Sequence, residues 1–233
     1  MCGRYARKSA LELLAEWFDL DLAGMPWFTA SYNAAPQSLQ PAVWLDVASG
    51  QRRIALMRWG LIPAWAKDAR IGINAINARA EEAASKPAYR DALRMRRCLI
   101  PADAFYEWQR LSSRRRQPYA IALRSGEPYA FAGLWESWQP PVGDLLTTFT
   151  ILTTTPNELM APIHDRMPVI IAPRNYERWL DAESKAAPPL DLLQPYPAAE
   201  MQAWTVSGKV GNVRNNASEL LAPDEPAQGT LFP

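Results

Sequence analysis

Leu11, Leu14 and Phe18 recur at helical spacing near the start of the chain, which predicts a helix from about Ser9 to about Phe18. Ser9 followed three residues later by Glu12 gives that helix a capping-box start. Cys2 lies ahead of it in an extended arm. Downstream the pattern changes to short runs rich in Thr, Val, Ile and aromatic residues, bounded by Pro, Gly or Asn. Ala42–Val47 and Arg53–Trp59 read as one hairpin across Ala-Ser-Gly. Tyr119–Leu123 and Tyr129–Trp135 read as a second hairpin around Ser125-Gly126. Further strands are predicted at Thr147–Thr154, Met167–Ile171 and Ala203–Val206. Ala80–Ser85 and Tyr89–Met95 read as helical on either side of Pro87, and Pro173 suits the first turn of a helix ending near Leu180. Hairpin connections without alternating βαβ units make this a single-domain α+β chain.

Composition narrows the picture. Hydrophobic residues are 48% and charged residues 21% of 233 residues, so the bulk of the chain is expected to fold, as one domain over residues 1–221. Residues 222–233 read as a tail, because Ala222–Gly229 carries two prolines, two acids and no large apolar side chain. A net charge of +1 excludes a broad polycation, so any hold on nucleic acid depends on arginines gathered locally. Cys2 and Cys98 lack CxxC or HxxxH neighbours, which indicates no disulfide framework, metal or cofactor. No apolar run approaches the roughly 20 residues of a membrane span, and the opening MCGRYARKSALELL has charges where a signal peptide is apolar. The expectation is a soluble, cytoplasmic monomer. Twenty-one prolines and ten tryptophans suggest a loop-rich surface on which rings serve as stacking platforms, unless they are core.

Four places carry candidate chemistry. Removal of Met1 before the small residue Cys2 would leave a free α-amine beside a thiol, a 1,2-aminothiol able to form a Schiff base with an aldehyde and then close a thiazolidine. The alternative is an incidental cysteine in a frayed terminus. Cys98, in the apolar run Cys98-Leu99-Ile100, reads as a buried strand residue. His164 is the only histidine, in a loop beside Asp165 and Arg166, and is the candidate proton shuttle. Glu107 sits among Phe105, Tyr106 and Trp108, an environment that raises a carboxyl pKa; its alternative is a surface acid on an edge strand. Asn77 and Arg79, two residues apart in an extended segment, would share a face for a sugar oxygen and a phosphate, with Arg4 and Arg166 completing a phosphate track. Arg114-Arg115-Arg116 reads as a solvated hairpin loop.

Met1-Cys2-Gly3-Arg4-Tyr5, Tyr32-Asn33-Ala34-Ala35-Pro36, Arg58-Trp59-Gly60-Leu61-Ile62-Pro63 and Asn77-Ala78-Arg79 open a series of motifs. It continues through Cys98-Leu99-Ile100-Pro101-Ala102-Asp103, Phe105-Tyr106-Glu107-Trp108, Ile163-His164-Asp165-Arg166-Met167-Pro168 and Val210–Asn215. In this order they resemble the SRAP (SOS response-associated peptidase) family, over almost the whole chain. The resemblance implies an α+β fold around a mixed or antiparallel barrel-like core, with a positive channel for single-stranded DNA. It implies that Cys2 forms a thiazolidine crosslink to the ring-opened aldehyde of an abasic site, shielding the lesion during the DNA damage response. Glu107 would assist ring opening and handle the α-amine, His164 would transfer protons, and Asn77 would orient the terminal residue and the opened sugar. Arg4, Arg79 and Arg166 would hold phosphates, while Asn33, Pro36 and Trp65 would line the channel or stack on bases. Binding of this kind would place the protein at the nucleoid. The family's peptidase name fits removal of Met1 to expose Cys2.

Two other functions stay open on the residues. Met-Cys-Gly also opens N-terminal nucleophile amidohydrolases, which use the terminal thiol with its own amine as base. A non-covalent module for single-stranded or modified DNA would need only the arginines and tryptophans. Finally, Gln228-Gly229-Thr230-Leu231-Phe232 resembles the peptide by which bacterial replication proteins dock into the sliding clamp, with Gly229 where leucine is usual.

Overall fold

The computed structural model of the chain describes residues 2–23, 25–182 and 187–224, so Gln228–Phe232 lies outside the described residues. Strand β1 (Tyr5–Arg7) precedes helix α1 (Leu11–Phe18) and pairs with β2 (Ser31–Ala34). The hairpin β3 (Leu39–Asp46) and β4 (Gln51–Trp59) follows as the sequence predicts. Helical turns α2 (Ile71–Asn74) and α3 (Ala80–Ala83) flank β5 (Asn77–Arg79), and α4 (Arg90–Met95) leads into β6 (Arg97–Ala102). β7 (Ala104–Arg110) and β8 (Arg116–Leu123) form one hairpin; β9 (Tyr129–Trp138) and β10 (Leu146–Thr154) form another. The order ends with β11 (Met167–Pro168), β12 (Ile170–Ile171), α5 (Tyr176–Leu180) and β13 (Met201–Thr205). Past β13, Pro223 bridges Val206 and the Asp224 amide donates to Thr205 O at 2.8 Å.

Five strands close into a barrel. β10 pairs with β4, β4 with β3, β3 with β6, β6 with β9, and β9 again with β10. Closure removes the bare edges that an open sheet must protect. The β4–β10 contact is parallel, with Arg58 opposite Thr148, and the other four are antiparallel. Side chains alternate between two cores. Cys98, Ile100, Phe131, Phe149 and Ile151 join one cluster with Phe105 and Ile121. Leu99, Ala132, Leu134 and Leu152 join another with Leu14, Phe18, Leu93 and Trp179 of the helices. Strands buried on both faces read as unbroken apolar runs. A second sheet, ordered β13-β8-β7-β1-β2, places β7 at its centre.

The structure corrects three sequence expectations. Tyr119–Leu123 and Tyr129–Trp135 are strands but not partners: β8 pairs with β7 and β13, and β9 with β6, β10 and β12. Both strands are buried along most of their length and take neighbours on both edges, so the Ser125-Gly126 turn passes the chain from one sheet to the other. The capping box at Ser9 does not form. Ala10 precedes the first helical residue, and Ser9 instead gives its amide and its hydroxyl to the carboxylate of Asp103, at 3.0 and 2.5 Å. Met167–Ile171 splits at Val169, its halves pairing with β10 and β9.

Among the described residues no helix is long and apolar enough to cross a membrane. The turn after β4 depends on two glycines. Gly60 has φ +134°, and a Cβ there would lie 2.4 Å from the carbonyl oxygen of Gly72. Gln37 bridges the same turn, its amide donating to Trp59 O at 3.2 Å and Gly72 O at 3.1 Å. Gly60→Ala should therefore cost about 2–3 kcal/mol, read as a melting-temperature fall of about 4–12 °C. Gly126→Ala, at φ +74° in open space, should cost only about 1 kcal/mol. Equal losses in the two variants would mean that the close approach of Gly60 to Gly72 does not constrain this turn.

Candidate active site

The short strand β1 fixes the position of Cys2. Tyr5 lies opposite Phe105, and the Tyr106 amide donates to Arg4 O at 3.0 Å, which carries the residues ahead of β1 toward Glu107. Cys2 is fully buried, in the cluster that holds Met57, Trp59 and Phe149. The expected extended arm is thus packed into the core. Asn77 secures it: its Nδ2 donates to the Cys2 carbonyl at 2.8 Å. Asn77 is itself positioned by the parallel pairing of β5 with β10 and by Trp59, whose Nε1 donates to Ile76 O at 2.8 Å. The Asn77 Oδ1 is buried with no hydrogen-bond partner among the described residues.

Burial, and secondarily the negative charge of Glu107, push the Cys2 thiol far above its ordinary pKa. In this setting sulfur stays protonated. Glu107 is 2% exposed, and β7 is a central strand, so the surface-acid alternative is excluded. Its burial raises the carboxyl pKa, against an opposing pull from His164.

His164 Nε2 lies 3.9 Å from Glu107 Oε2. On the ring's other side the Arg166 amide donates to Nδ1 at 3.0 Å, while Asp165 Oδ1 lies 2.8 Å from the same nitrogen. The first contact needs a lone pair on Nδ1 and the second needs a proton there. They are alternatives: the neutral ring, with its proton on Nε2 toward Glu107, uses the amide, and the imidazolium uses Asp165 and Glu107. The loop is held by residues that local sequence pattern does not single out. Gln109 Nε2 donates to Pro162 O at 3.0 Å, and Asn157 accepts the Met160 amide at 2.9 Å while donating to Tyr196 O at 2.7 Å. For Gln109 one signal exists, since it stands two positions from Glu107 on one strand face; nothing local marks Asn157.

The basic and channel residues divide. Arg4 Nη1 donates to Asn33 Oδ1 at 3.1 Å and to Val210 O at 3.0 Å. Asn33 Nδ2 donates to the carbonyls of Val210, Asn212 and Asn215. This pair ties down the 210–215 loop. Arg166 meets Glu81 through both Nη atoms at 2.8 Å and also donates to Thr153 O at 2.6 Å. Arg79 is more open, 3.6 Å from Glu82 with its side chain 59% exposed. Pro36 is half-buried in the turn after β2, and Trp65 is 62% exposed.

A cleft of about 490 Å³ opens at Glu107 and His164, rimmed by Trp108, Arg110, Arg116 and Asp165. A larger one, about 1050 Å³, lies between Asp19, Arg52, Arg174 and Arg178. It contains neither cysteine nor histidine, so the smaller cleft is the one placed for chemistry. Among the described residues no group of three or more His, Cys, Asp or Glu could hold a metal ion.

Residues 1–213 match the family described as SOS response associated peptidase (SRAP). The chain is 45% identical over 223 residues to the abasic site processing protein YoqW of Bacillus subtilis (strain 168), covering 95% of this chain and 99% of that one. It is 32% identical over 256 residues to the abasic site processing protein HMCES of Rattus norvegicus, covering 94% and 70%. A solved structure from Bacteroides thetaiotaomicron shares the fold, with TM-score 0.84 at 22% identity over 96% of this chain and 100% of that chain. Another, from Bordetella bronchiseptica, has TM-score 0.73 at 26% identity over 88% and 100%. With its motifs in order and its fold in common, the chain belongs to the SOS response associated peptidase (SRAP) family.

Proposed function

We propose that this protein processes abasic sites in single-stranded DNA by linking Cys2 covalently to the lesion. The observation that carries the proposal is that Glu107 and His164 line one cleft while Cys2, its carbonyl held by Asn77, is buried within reach of the Glu107 charge. The names of the relatives support the substrate class. Hydrolytic removal of Met1 exposes the Cys2 α-amine. The amine adds to the C1′ aldehyde of the ring-opened sugar, and loss of one water gives a Schiff base. The thiol then adds to the imine carbon and its proton passes to nitrogen, closing the thiazolidine.

Burial of the thiol fits this order, in which the amine adds first and sulfur closes on a carbon already held beside it. Glu107 exchanges protons with the amine and the sugar hydroxyl. His164, bonded on one side and facing Glu107 on the other, relays protons to the carbinolamine. Asn77 fixes the carbonyl of Cys2 and keeps Oδ1 available as an acceptor for a donor on the terminal residue or the opened sugar. The phosphate roles of Arg4 and Arg166 require their present partners to be shared or exchanged, whereas Arg79 can reach a phosphate directly.

Incubation with abasic single-stranded DNA should give a species that survives denaturing gels, with intact mass lacking Met1 and gaining the oligonucleotide less one water. Cys2→Ala should abolish it and Cys98→Ala should not. Persistence of the adduct in Cys2→Ala rejects the thiazolidine, and glutamine hydrolysis without an adduct would favour the amidohydrolase. His164→Ala should slow adduct formation by up to about 100-fold at saturating DNA; an unchanged rate removes His164 from the proton path.

The raised pKa of Glu107 also has a stability consequence. Because the folded state holds this proton more tightly than the unfolded chain, Glu107 costs stability as pH rises above the ordinary carboxyl value of 4.5. Glu107→Gln should therefore gain stability relative to the wild type at pH 7 compared with pH 4, in denaturant melts. A relative loss at pH 7 would mean that the native site favours the ionised carboxylate.

A further inference from the structure

The β7–β8 hairpin ends in an arginine pair. Arg110 and Arg116 lie directly opposite in register, both exposed, and both rim the cleft that holds Glu107 and His164. Directly opposed side chains on neighbouring strands stand about 4.5–5.5 Å apart at Cβ, where like charges repel. Neither arginine makes an ion pair among the described residues, so the repulsion between the two is not offset by a neighbouring acid. No Asp or Glu occurs in the sequence between Glu107 and Glu127, and Arg114 and Arg115 at the turn add to the positive tip. Of the acids lining the cleft, Asp165 lies against His164 Nδ1 and Glu107 is buried.

We infer that Arg110 and Arg116 form a seat for backbone phosphate of the DNA strand, next to the nucleotide whose sugar enters the cleft. The inference rests on the reading that this cleft receives DNA, and adds a contact that neither the motifs nor the phosphate track of Arg4, Arg79 and Arg166 includes. A phosphate between the two guanidiniums would turn the repulsive pair into a clamp, with charge-assisted hydrogen bonds from both sides. Because the pair stands on a hairpin whose neighbour Gln109 also holds the His164 loop, the phosphate would be set in register with the proton-transfer groups. Phosphate contacts of this kind position a strand and carry no base preference.

The test uses the full chain and its double variant Arg110→Gln/Arg116→Gln, with an undamaged single-stranded oligonucleotide and its abasic counterpart as probes. Binding of the undamaged strand, followed by fluorescence anisotropy across salt concentrations, needs no chemistry at Cys2. The double variant should bind about 10-fold or more weakly at low salt, and its log K against log salt slope should fall by about 0.7, the value for one phosphate of a single strand that is no longer neutralised. Arg90→Gln, a single charge removed elsewhere on the surface, controls for net charge and should shift affinity by less than about 2-fold. An unchanged slope in the double variant overturns the seat, as does a weakening no larger than that of Arg90→Gln. Failure of the wild type to form any adduct would instead strike the thiazolidine proposal and leave the salt-slope result to decide the arginine pair.

Discussion

Three residues determine where Cys2 is held. The pairing of β1 with β7, Tyr5 opposite Phe105 and Ala6 opposite Ala104, inserts the start of the described chain into a sheet that packs against the barrel. Without that short ladder Cys2 would be a solvated residue on a loose end. With it, the thiol loses water and is held beside a buried carboxylate, and its carbonyl is taken by Asn77. The ladder is far too short to be stable alone. Tyr5 supplies what hydrogen bonds do not, packing its ring at 5.3 Å from Trp59 and 5.6 Å from Phe131.

The site therefore depends on residues with no chemistry of their own. Gly60 and Gly72 let the chain turn closely enough for Ile76 to reach Trp59, and that contact sets Asn77. Asn157 and Gln109 hold the loop on which His164 turns toward Glu107. Arg4 and Asn33 bind carbonyls of the 210–215 loop, so motifs at both ends of the sequence meet through one guanidinium and one amide. Their side chains thus have a structural use apart from any role on DNA.

Much of this is legible in the sequence, for physical reasons that can be traced. The β3–β4 hairpin, the helix ending at Phe18 and the strand burying Cys98 follow from local pattern, because short-range periodicity and turn residues decide them. Sequence and structure part where a distant partner outcompetes a local one. Ser9 has the spacing of a helix cap, but Asp103, 94 residues away, accepts both its amide and its hydroxyl. Tyr119–Leu123 and Tyr129–Trp135 have the pattern of a hairpin because a turn separates them, yet sheet assignment depends on neighbours that proximity in sequence does not reveal. The barrel is available only through resemblance, since its closing contact joins Arg58 to Thr148. Pairing of Arg166 with Glu81, 85 residues apart, is likewise invisible to local pattern.

Contacts of such span have a kinetic meaning. Arg4 reaches Val210 across 206 residues, and parallel closure of the barrel waits for β10, so the native arrangement forms late and with high contact order. Until then both sulfurs are solvated and regain ordinary acidity, which is when general electrophiles can modify them. Burial thus shields both thiols from general electrophiles, and a thiol-labelling rate measured on the native protein is a gauge of how often their surroundings open.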